Sequence, residues 1–160
     1  MFIKPKNAKV ELTFPQANDI YKIIKFGDGL MGNFFEKRLN NISLDISDRQ
    51  INYYYSSGVY LGLFKQRDRA LTELGELVFS QNFSDVLRLL VYLILSDQVF
   101  YDFFINRNMK RTEELLVSLF NLDGTTPGRR AEQVKKWIDW CDIVISEQKI
   151  EIFEMTEGSM

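Results

Sequence analysis

The chain has 160 residues, of which 46% are hydrophobic and 14% aromatic, and its net charge is −2 at pH 7. This length suits one compact domain or two small ones, and the slightly acidic balance excludes a uniformly basic surface, so a DNA-binding face would have to be a local basic patch. The absence of histidine excludes a Ser–His–Asp triad and a histidine-ligated zinc, and the single cysteine, Cys141, excludes an intrachain disulfide and a thiolate metal site.

The same counts lead to expectations about compartment and chemistry. The longest apolar run, 86–95, is interrupted by Arg88 and is shorter than the roughly 20 apolar residues of a membrane span. The first residues contain no apolar stretch typical of a signal peptide. We therefore expect a cytoplasmic protein that does not touch a membrane and is not an enzyme by itself, with no catalytic residues, no metal site and no cofactor.

The first 60 residues predict three helices. An alternating stretch at 9–14 predicts a short strand or extended arm. Pro15 is expected to begin a helix of about ten residues, which the glycines near residue 30 end, and a second helix is expected at about 31–40. Ser47 and Gln50 have the spacing of a capping box, which predicts a third helix from about Asp48 to Tyr60.

The segment after this helix predicts a turn, a hairpin and a further helix. Gly62 is expected to end the preceding helix in a left-handed conformation. Residues 63–72 predict a short β-hairpin with Arg67, Asp68 and Arg69 at its tip. Thr72 is expected to cap the next helix, with Leu74, Leu77 and Val78 pointing inward. Helices followed by a hairpin in this order are typical of a winged helix-turn-helix.

The second half predicts a weak repeat of this plan. Ser84 is expected to cap an apolar helix that reaches Leu95, and two more helices are expected at about 98–106 and 111–121. Thr126, as N-cap, and Pro127, at the first helical position, predict a helix to about Cys141. Its expected buried stripe is Ala131, Val134, Ile138 and Cys141. Segments 143–145 and 150–153 predict two strands around a polar turn.

The predicted fold class is therefore mainly α, or α+β, with a winged helix-turn-helix. We expect two winged-helix units packed around a central helix. The predicted domains are an N-terminal winged-helix unit at 1–80, a second helical or winged-helix-like unit at 81–156, and a frayed tail at 157–160.

Three motifs resemble a winged-helix domain that occurs beside or within type II restriction enzymes and related bacterial defence proteins. They are Asp48-Arg49-Gln50-Ile51-Asn52-Tyr53-Tyr54 with Tyr60-Leu61-Gly62-Leu63, then Leu71-Thr72-Glu73-Leu74-Gly75, and finally Arg129-Arg130 with Val134, Trp137 and Trp140. The resemblance covers about residues 17–154. It implies a role in recognising or positioning DNA, with cleavage performed elsewhere.

Two groups of candidate DNA-binding residues belong to the first half. On the helix at 48–60, Arg49, Gln50 and Asn52 have side chains that pair with base edges, and Tyr53 and Ser56 suit phosphate oxygens. In the predicted hairpin, the cations suit a phosphate backbone; they are Lys65, Arg67 and Arg69. The alternative is an ordinary solvated face and turn.

A third candidate group lies at the start of the predicted helix 127–141, where a helix N-terminus and threonine hydroxyls suit a phosphate. Its members are Thr125, Thr126, Arg129, Arg130, Gln133 and Lys136. The alternative is the charged outer face of a helix that packs through Trp137 and Ile138. Trp137 and Trp140 are expected in the core or an interface.

Two further motifs are weak. Gly27, Gly29 and Gly32 match a dinucleotide fingerprint in letters, but that fingerprint needs a preceding strand, and a helix is expected here. Glu147 and Lys149 have the spacing of a metal-dependent nuclease motif, but an earlier aspartate on a neighbouring strand is missing.

The predicted function is double-stranded DNA binding as the recognition or positioning module of a restriction-modification or related defence system. A winged-helix transcription regulator and a protein-interaction or dimerisation subunit stay open as alternatives. The interaction alternative rests on the acidic balance and on the aromatic run Phe100, Tyr101, Phe103 and Phe104. The expected partner is double-stranded DNA, with a homodimer or a larger restriction-system partner left open.

Overall fold

The computed structural model describes residues 1–32 and 48–155. In this part of the chain the fold is mainly helical, which confirms the predicted class at that level. Its elements, in chain order, are β1 (Phe2–Ile3), α1 (Ile20–Leu30), α2 (Asp48–Tyr60), α3 (Glu73–Phe79), α4 (Phe83–Leu95), α5 (Gln98–Asn106), α6 (Met109–Phe120), α7 (Thr126–Gln148) and β2 (Phe153–Glu154).

The chain divides into two compact units. The first unit is Glu11–Val86, and the second consists of Met1–Val10 together with the residues from Leu87 onward. The N-terminal residues therefore group with the C-terminal half, whereas the sequence predicts an N-terminal unit at 1–80. Sequence patterns predict contacts between segments that are neighbours along the chain. This grouping depends on contacts between the two ends of the sequence, so those patterns do not predict it.

The first unit begins with an irregular segment and then α1. Residues 9–14 form turns and irregular backbone instead of the predicted strand. The helix begins at Ile20, not at Pro15, because the Asp19 carboxylate caps it by accepting a hydrogen bond from the Tyr21 amide at 2.9 Å. Ile20, Ile23 and Ile24 are buried, as their spacing predicts. The predicted helix at 31–40 extends beyond the described residues, and Ser47 also lies outside them.

The predicted helix at 48–60 is confirmed as α2, and Gly62 follows it with φ +81°, in the expected left-handed conformation. The predicted hairpin takes the form of one antiparallel bridge between Phe64 and Leu71, with no strand on either side. Thr72 caps α3 as predicted, accepting a hydrogen bond from the Gly75 amide at 3.0 Å.

The inward face of α3 differs from the prediction. Val78 is buried, but Leu74 and Leu77 are 37% and 59% exposed, so the prediction that both leucines point inward is wrong. The helix instead packs through Gly75 and Phe79, whose ring stacks on Phe64 with centroids 6.3 Å apart.

Of the next three helices, two begin at a residue other than the predicted one and one is confirmed. Asn82 provides the side-chain cap of α4, accepting a hydrogen bond from the Asp85 amide at 2.9 Å, so Ser84 lies inside the helix instead of capping it. The predicted helix 98–106 is confirmed as α5. In α6 the first residue is Met109, because the Asn108 side chain accepts a hydrogen bond from the Arg111 amide at 3.1 Å.

The last helix, α7, overturns the predicted second hairpin. It continues through 143–145 to Gln148, where Lys149 ends it with φ +52°. Val144 extends the buried stripe formed by Ala131, Val134, Ile138 and Cys141, and that continued burial on one helical face outweighs the β-branched composition of 143–145. The strand β2 does not form a hairpin; it pairs in parallel with β1, Phe2 facing Phe153.

Candidate nucleic-acid interface

The outward face of α2 carries the first group of predicted DNA-binding residues. The opposite face is buried, including Tyr54, Ser57 and Tyr60. Ser57, a polar residue on that face, is satisfied because its hydroxyl donates to the Tyr53 carbonyl at 2.8 Å. This anchoring leaves Arg49, Gln50 and Asn52 exposed, with Tyr53 and Ser56 half-buried.

Arg49 and Tyr53 interact on this exposed face. The Arg49 Nε donates a hydrogen bond to the Tyr53 hydroxyl at 2.6 Å, and the guanidinium carbon lies 5.6 Å from the centre of the tyrosine ring. The two residues are one helical turn apart, where side chains are neighbours. Tyr53, predicted as a phosphate contact, therefore holds an arginine side chain in this structure.

The charged turn between α2 and α3 carries the second predicted group. The Lys65 amide donates to the Ala70 carbonyl at 2.8 Å, which closes the turn. Asp68 and Arg69 have positive φ angles of 74° and 42° at its tip. The cations of the turn are all exposed; they are Lys65, Arg67 and Arg69.

Two contacts join this turn to α2. The Tyr55 hydroxyl donates to the Lys65 carbonyl, and the Arg69 Nη2 donates to the Asn52 Oδ1 at 3.5 Å. Burial raises the pKa of Tyr55, so this hydroxyl keeps its proton at neutral pH and remains a donor. The structure thus brings the two predicted groups together. We call the combined region the α2–turn surface; its residues are Arg49, Gln50, Asn52, Tyr53, Lys65, Arg67 and Arg69.

Ser56 lies beside this surface, in a small cavity. The cavity has a volume of about 250 Å³, and its lining includes Glu11, Tyr55 and Gln66. A carboxylate in the lining repels a phosphate, so the cavity weakens the predicted phosphate contact of Ser56.

The third predicted group lies at the start of α7, in the second unit. Thr125, Arg129 and Lys136 are exposed, and Thr126, Arg130 and Gln133 are half-buried. Thr125 precedes the helix and its side chain makes no capping hydrogen bond. This differs from the prediction that Thr126 is the N-cap, but Pro127 lies in the first turn as expected.

The surroundings of this helix start are of mixed charge. A cleft of about 730 Å³ between α6 and α7 is lined by Lys110, Glu113 and Glu114 as well as by Thr125 and Gly128. The Arg130 side chain also donates to Gln133 at 3.2 Å. Two carboxylates beside the helix N-terminus disfavour a phosphate there, so the α2–turn surface is the stronger nucleic-acid candidate.

One protein family, described as a domain of unknown function (DUF7226), matches residues 22–146. The chain belongs to this family. The matched range contains the α2–turn surface and the start of α7. No curated protein and no solved structure matches the chain.

The glycine motif and the Glu147–Lys149 motif of the DUF7226 chain do not lie in the secondary structure that a dinucleotide site or a nuclease site requires. Gly27 and Gly29 lie within α1, so the segment directly before them is helical, whereas a dinucleotide fingerprint requires a strand there. Glu147 and Lys149 lie at the end of α7, not in the predicted hairpin turn. Within residues 1–32 and 48–155, no three acidic or cysteine side chains are grouped to hold a metal ion.

The tryptophans of the DUF7226 chain are buried, as predicted. Trp137 stacks on Phe100 with ring centres 5.0 Å apart, and Trp140 is 8% exposed. Neither is placed to stack on a nucleic-acid base. Across the described ranges, no helix combines the length and apolarity that a membrane crossing needs.

Proposed function

We infer that this protein binds double-stranded DNA through the α2–turn surface. We further propose that it does so as the recognition or positioning module of a restriction-modification or related defence system, with DNA cleavage performed by another protein or domain. Under this proposal the first unit is a winged helix-turn-helix, in which α2 is the recognition helix and the charged turn is a short wing.

The observation that carries the proposal is the contact between Arg69 and Asn52. It places a helix face rich in base-pairing side chains next to a turn with three cations. A recognition helix supplies base contacts in the major groove, and an adjacent basic turn supplies phosphate contacts. Both are needed on one side of a protein whose net charge is −2, because the body as a whole does not attract DNA.

Fluorescence anisotropy with a labelled duplex tests the proposal. Affinity is expected to fall steeply between about 50 and 200 mM salt, since phosphate contacts release counterions. Replacing the turn arginine in Arg67→Ala is expected to reduce the slope of log K against log salt by about 1.

Arg88→Ala is the matched control, because Arg88 is an exposed arginine of α4 outside the α2–turn surface. It removes the same charge and is expected to leave the salt slope unchanged. Absence of duplex binding at low salt and micromolar protein contradicts the proposal, as does equal weakening by Arg67→Ala and Arg88→Ala.

Protein interaction is a second candidate function, and α3 favours it. Leu74 and Leu77 are exposed one helical turn apart, and each directly follows an exposed glutamate, Glu73 or Glu76. The aromatic run that suggested this function gives it less support, because Phe100, Tyr101 and Phe103 are buried within the second unit. Size-exclusion chromatography with light scattering tests a homodimer: dissociation by Leu77→Lys supports it, and a monomeric wild-type protein contradicts it.

A further inference from the structure

We propose that Arg49 and Asn52 read a guanine and an adenine in the major groove, an inference that rests on the DNA-binding function proposed above. Both side chains are exposed, and they are three residues apart on α2. At about 1.5 Å of rise per residue they lie about 4.5 Å apart along the helix axis. Base pairs are spaced about 3.4 Å apart, so the two side chains reach the same base pair or adjacent ones.

The hydrogen bond to Tyr53 orients Arg49 for guanine. It occupies Nε, and among the described residues no partner contacts the two terminal nitrogens of this guanidinium. Two parallel N–H donors match the O6 and N7 acceptors of guanine in a bidentate contact, and the planar guanidinium presents these donors in a fixed geometry. Tyr53 is thus a positioning residue, because it fixes the plane in which the arginine presents its donors.

The contact with Arg69 orients Asn52 for adenine. The Asn52 Oδ1 accepts from the Arg69 Nη2 at 3.5 Å, which sets the orientation of the amide. An amide oxygen has a second lone pair, and the Nδ2 group has two N–H donors. Asn52 can therefore donate to adenine N7 and accept from adenine N6 while the contact with Arg69 persists. Arg69 is the second positioning residue, and it comes from the turn.

Selection from a pool of random duplexes measures the preference directly. The wild-type protein is expected to enrich a guanine and an adenine in the same or adjacent base pairs. In the enriched duplex, 7-deazaguanine or 7-deazaadenine at these positions removes only the N7 acceptor and is expected to weaken binding roughly 5- to 100-fold. Inosine in place of the guanine keeps O6 and N7, and affinity is expected to remain unchanged.

Conservative variants separate positioning from folding. Tyr53→Phe keeps the ring and loses the hydroxyl, and it is expected to relax the guanine preference alone. Arg69→Lys keeps the charge and loses the planar fork, and it is expected to relax the adenine preference alone. Arg88→Lys is the matched control, because it makes the same substitution at an exposed arginine outside the α2–turn surface, and it is expected to change neither preference. Circular dichroism checks that each variant is folded.

The outcomes distinguish this inference from the function on which it rests. Salt-dependent duplex binding without a guanine and adenine preference, or with preferences unchanged in Tyr53→Phe and Arg69→Lys, overturns the base readout and leaves DNA binding standing. No binding to any duplex overturns both.

Discussion

Gly75 is a residue at which the backbones of two segments meet without room for a side chain. A Cβ at this position would overlap the Leu63 carbonyl oxygen and lie 3.0 Å from the Leu63 carbonyl carbon. Alanine favours a helix over glycine by about 0.5–1 kcal/mol, but this clash is with backbone, which relieves it only by moving α3 away from the turn. The close approach therefore supports the position of the charged turn.

We expect Gly75→Ala to lower the free energy of unfolding by about 1–3 kcal/mol, as overpacking does elsewhere. Urea denaturation followed by circular dichroism measures the change. Leu77→Ala, on the same helix, truncates a side chain that is 59% exposed and is expected to change stability by less than about 0.5 kcal/mol. A larger loss in Leu77→Ala than in Gly75→Ala would be incompatible with this packing.

Cys141 is a second residue whose environment makes a measurable prediction. It is fully buried, and burial strongly raises the pKa of its thiol. We expect a disulfide reagent to label the native protein at least about 100-fold more slowly than the urea-unfolded protein, because the reaction requires a thiolate and an opening of the fold. Rapid labelling without denaturant would place this face of α7 at the surface.

The raised pKa of Cys141 determines the direction in which the stability of the protein changes with pH. In the unfolded chain the thiol loses its proton near its ordinary pKa of 9.0, while the folded chain still holds it. The unfolded state then binds fewer protons, so the contribution of Cys141 to stability is intact below that pH and declines as the pH rises above it. Cys141→Ala is expected to flatten this decline in urea titrations above about pH 9.

At the scale of elements, one ion pair ties the end of α5 to α7. Arg107 donates two hydrogen bonds to the Asp142 carboxylate, at 2.7 and 2.8 Å, and these raise the pKa of the guanidinium. The two side chains are 45% and 39% exposed, so solvent screens the pair. Asp142→Asn is expected to lower the free energy of unfolding by about 0.5–1 kcal/mol at low salt.

The salt dependence and a matched variant test whether the loss of stability comes from the ion pair. The loss in Asp142→Asn is expected to shrink in high salt, because the charges are partly exposed. Asp139→Asn breaks one ion pair within α7, with Lys135 at 3.3 Å, and removes a weaker attraction to Arg107. It is expected to lower stability by only about 0.2–0.5 kcal/mol. Equal effects of the two variants in urea denaturation would show that the bidentate geometry contributes nothing.

Elements with local start and stop signals could be predicted from the sequence, and elements that depend on distant contacts could not. The helix α2 ends where Gly62 predicts, and α5 begins directly after Asp97, whose carboxylate accepts from the Val99 amide at 2.9 Å. The run Ile143-Val144-Ile145 predicted a strand from its β-branched side chains, yet Val144 is buried as part of α7. Packing of the helix overrides that local preference.

The candidate site shows the same division. The exposure of Arg49, Asn52 and Arg69 follows from helical periodicity and turn composition. The orientation of these side chains does not follow from either pattern. The contact of Arg69 with Asn52 depends on the path of a turn in which Arg69 itself has positive φ. The Arg49–Tyr53 pair is at i,i+4 spacing and could have been found from the sequence, since side chains four residues apart on a helix are neighbours.

At the scale of the whole molecule, the two ends of the chain meet in the second unit. The Phe153 amide donates to the Met1 carbonyl at 2.9 Å, and the Met155 amide donates to the Ile3 carbonyl at 2.7 Å. Further along, the Lys6 amide donates to the Ser96 carbonyl at 2.7 Å. Because these partners are distant in sequence, no local pattern predicts them. Ile3 is fully buried, which makes the N-terminal strand part of the core of this unit.

This arrangement predicts how the N-terminus affects a signal from the opposite end of the chain. Trp137 and Trp140 both belong to the second unit, so intrinsic tryptophan fluorescence reports on that unit alone. Ile3→Ala is expected to destabilise the fluorescence-monitored transition by about 2–5 kcal/mol, the loss typical of truncating a buried isoleucine. Lys4→Ala, an exposed neighbour, is the control and is expected to leave it unchanged. If Ile3→Ala leaves the tryptophan transition in place, residues 1–10 do not belong to the second unit.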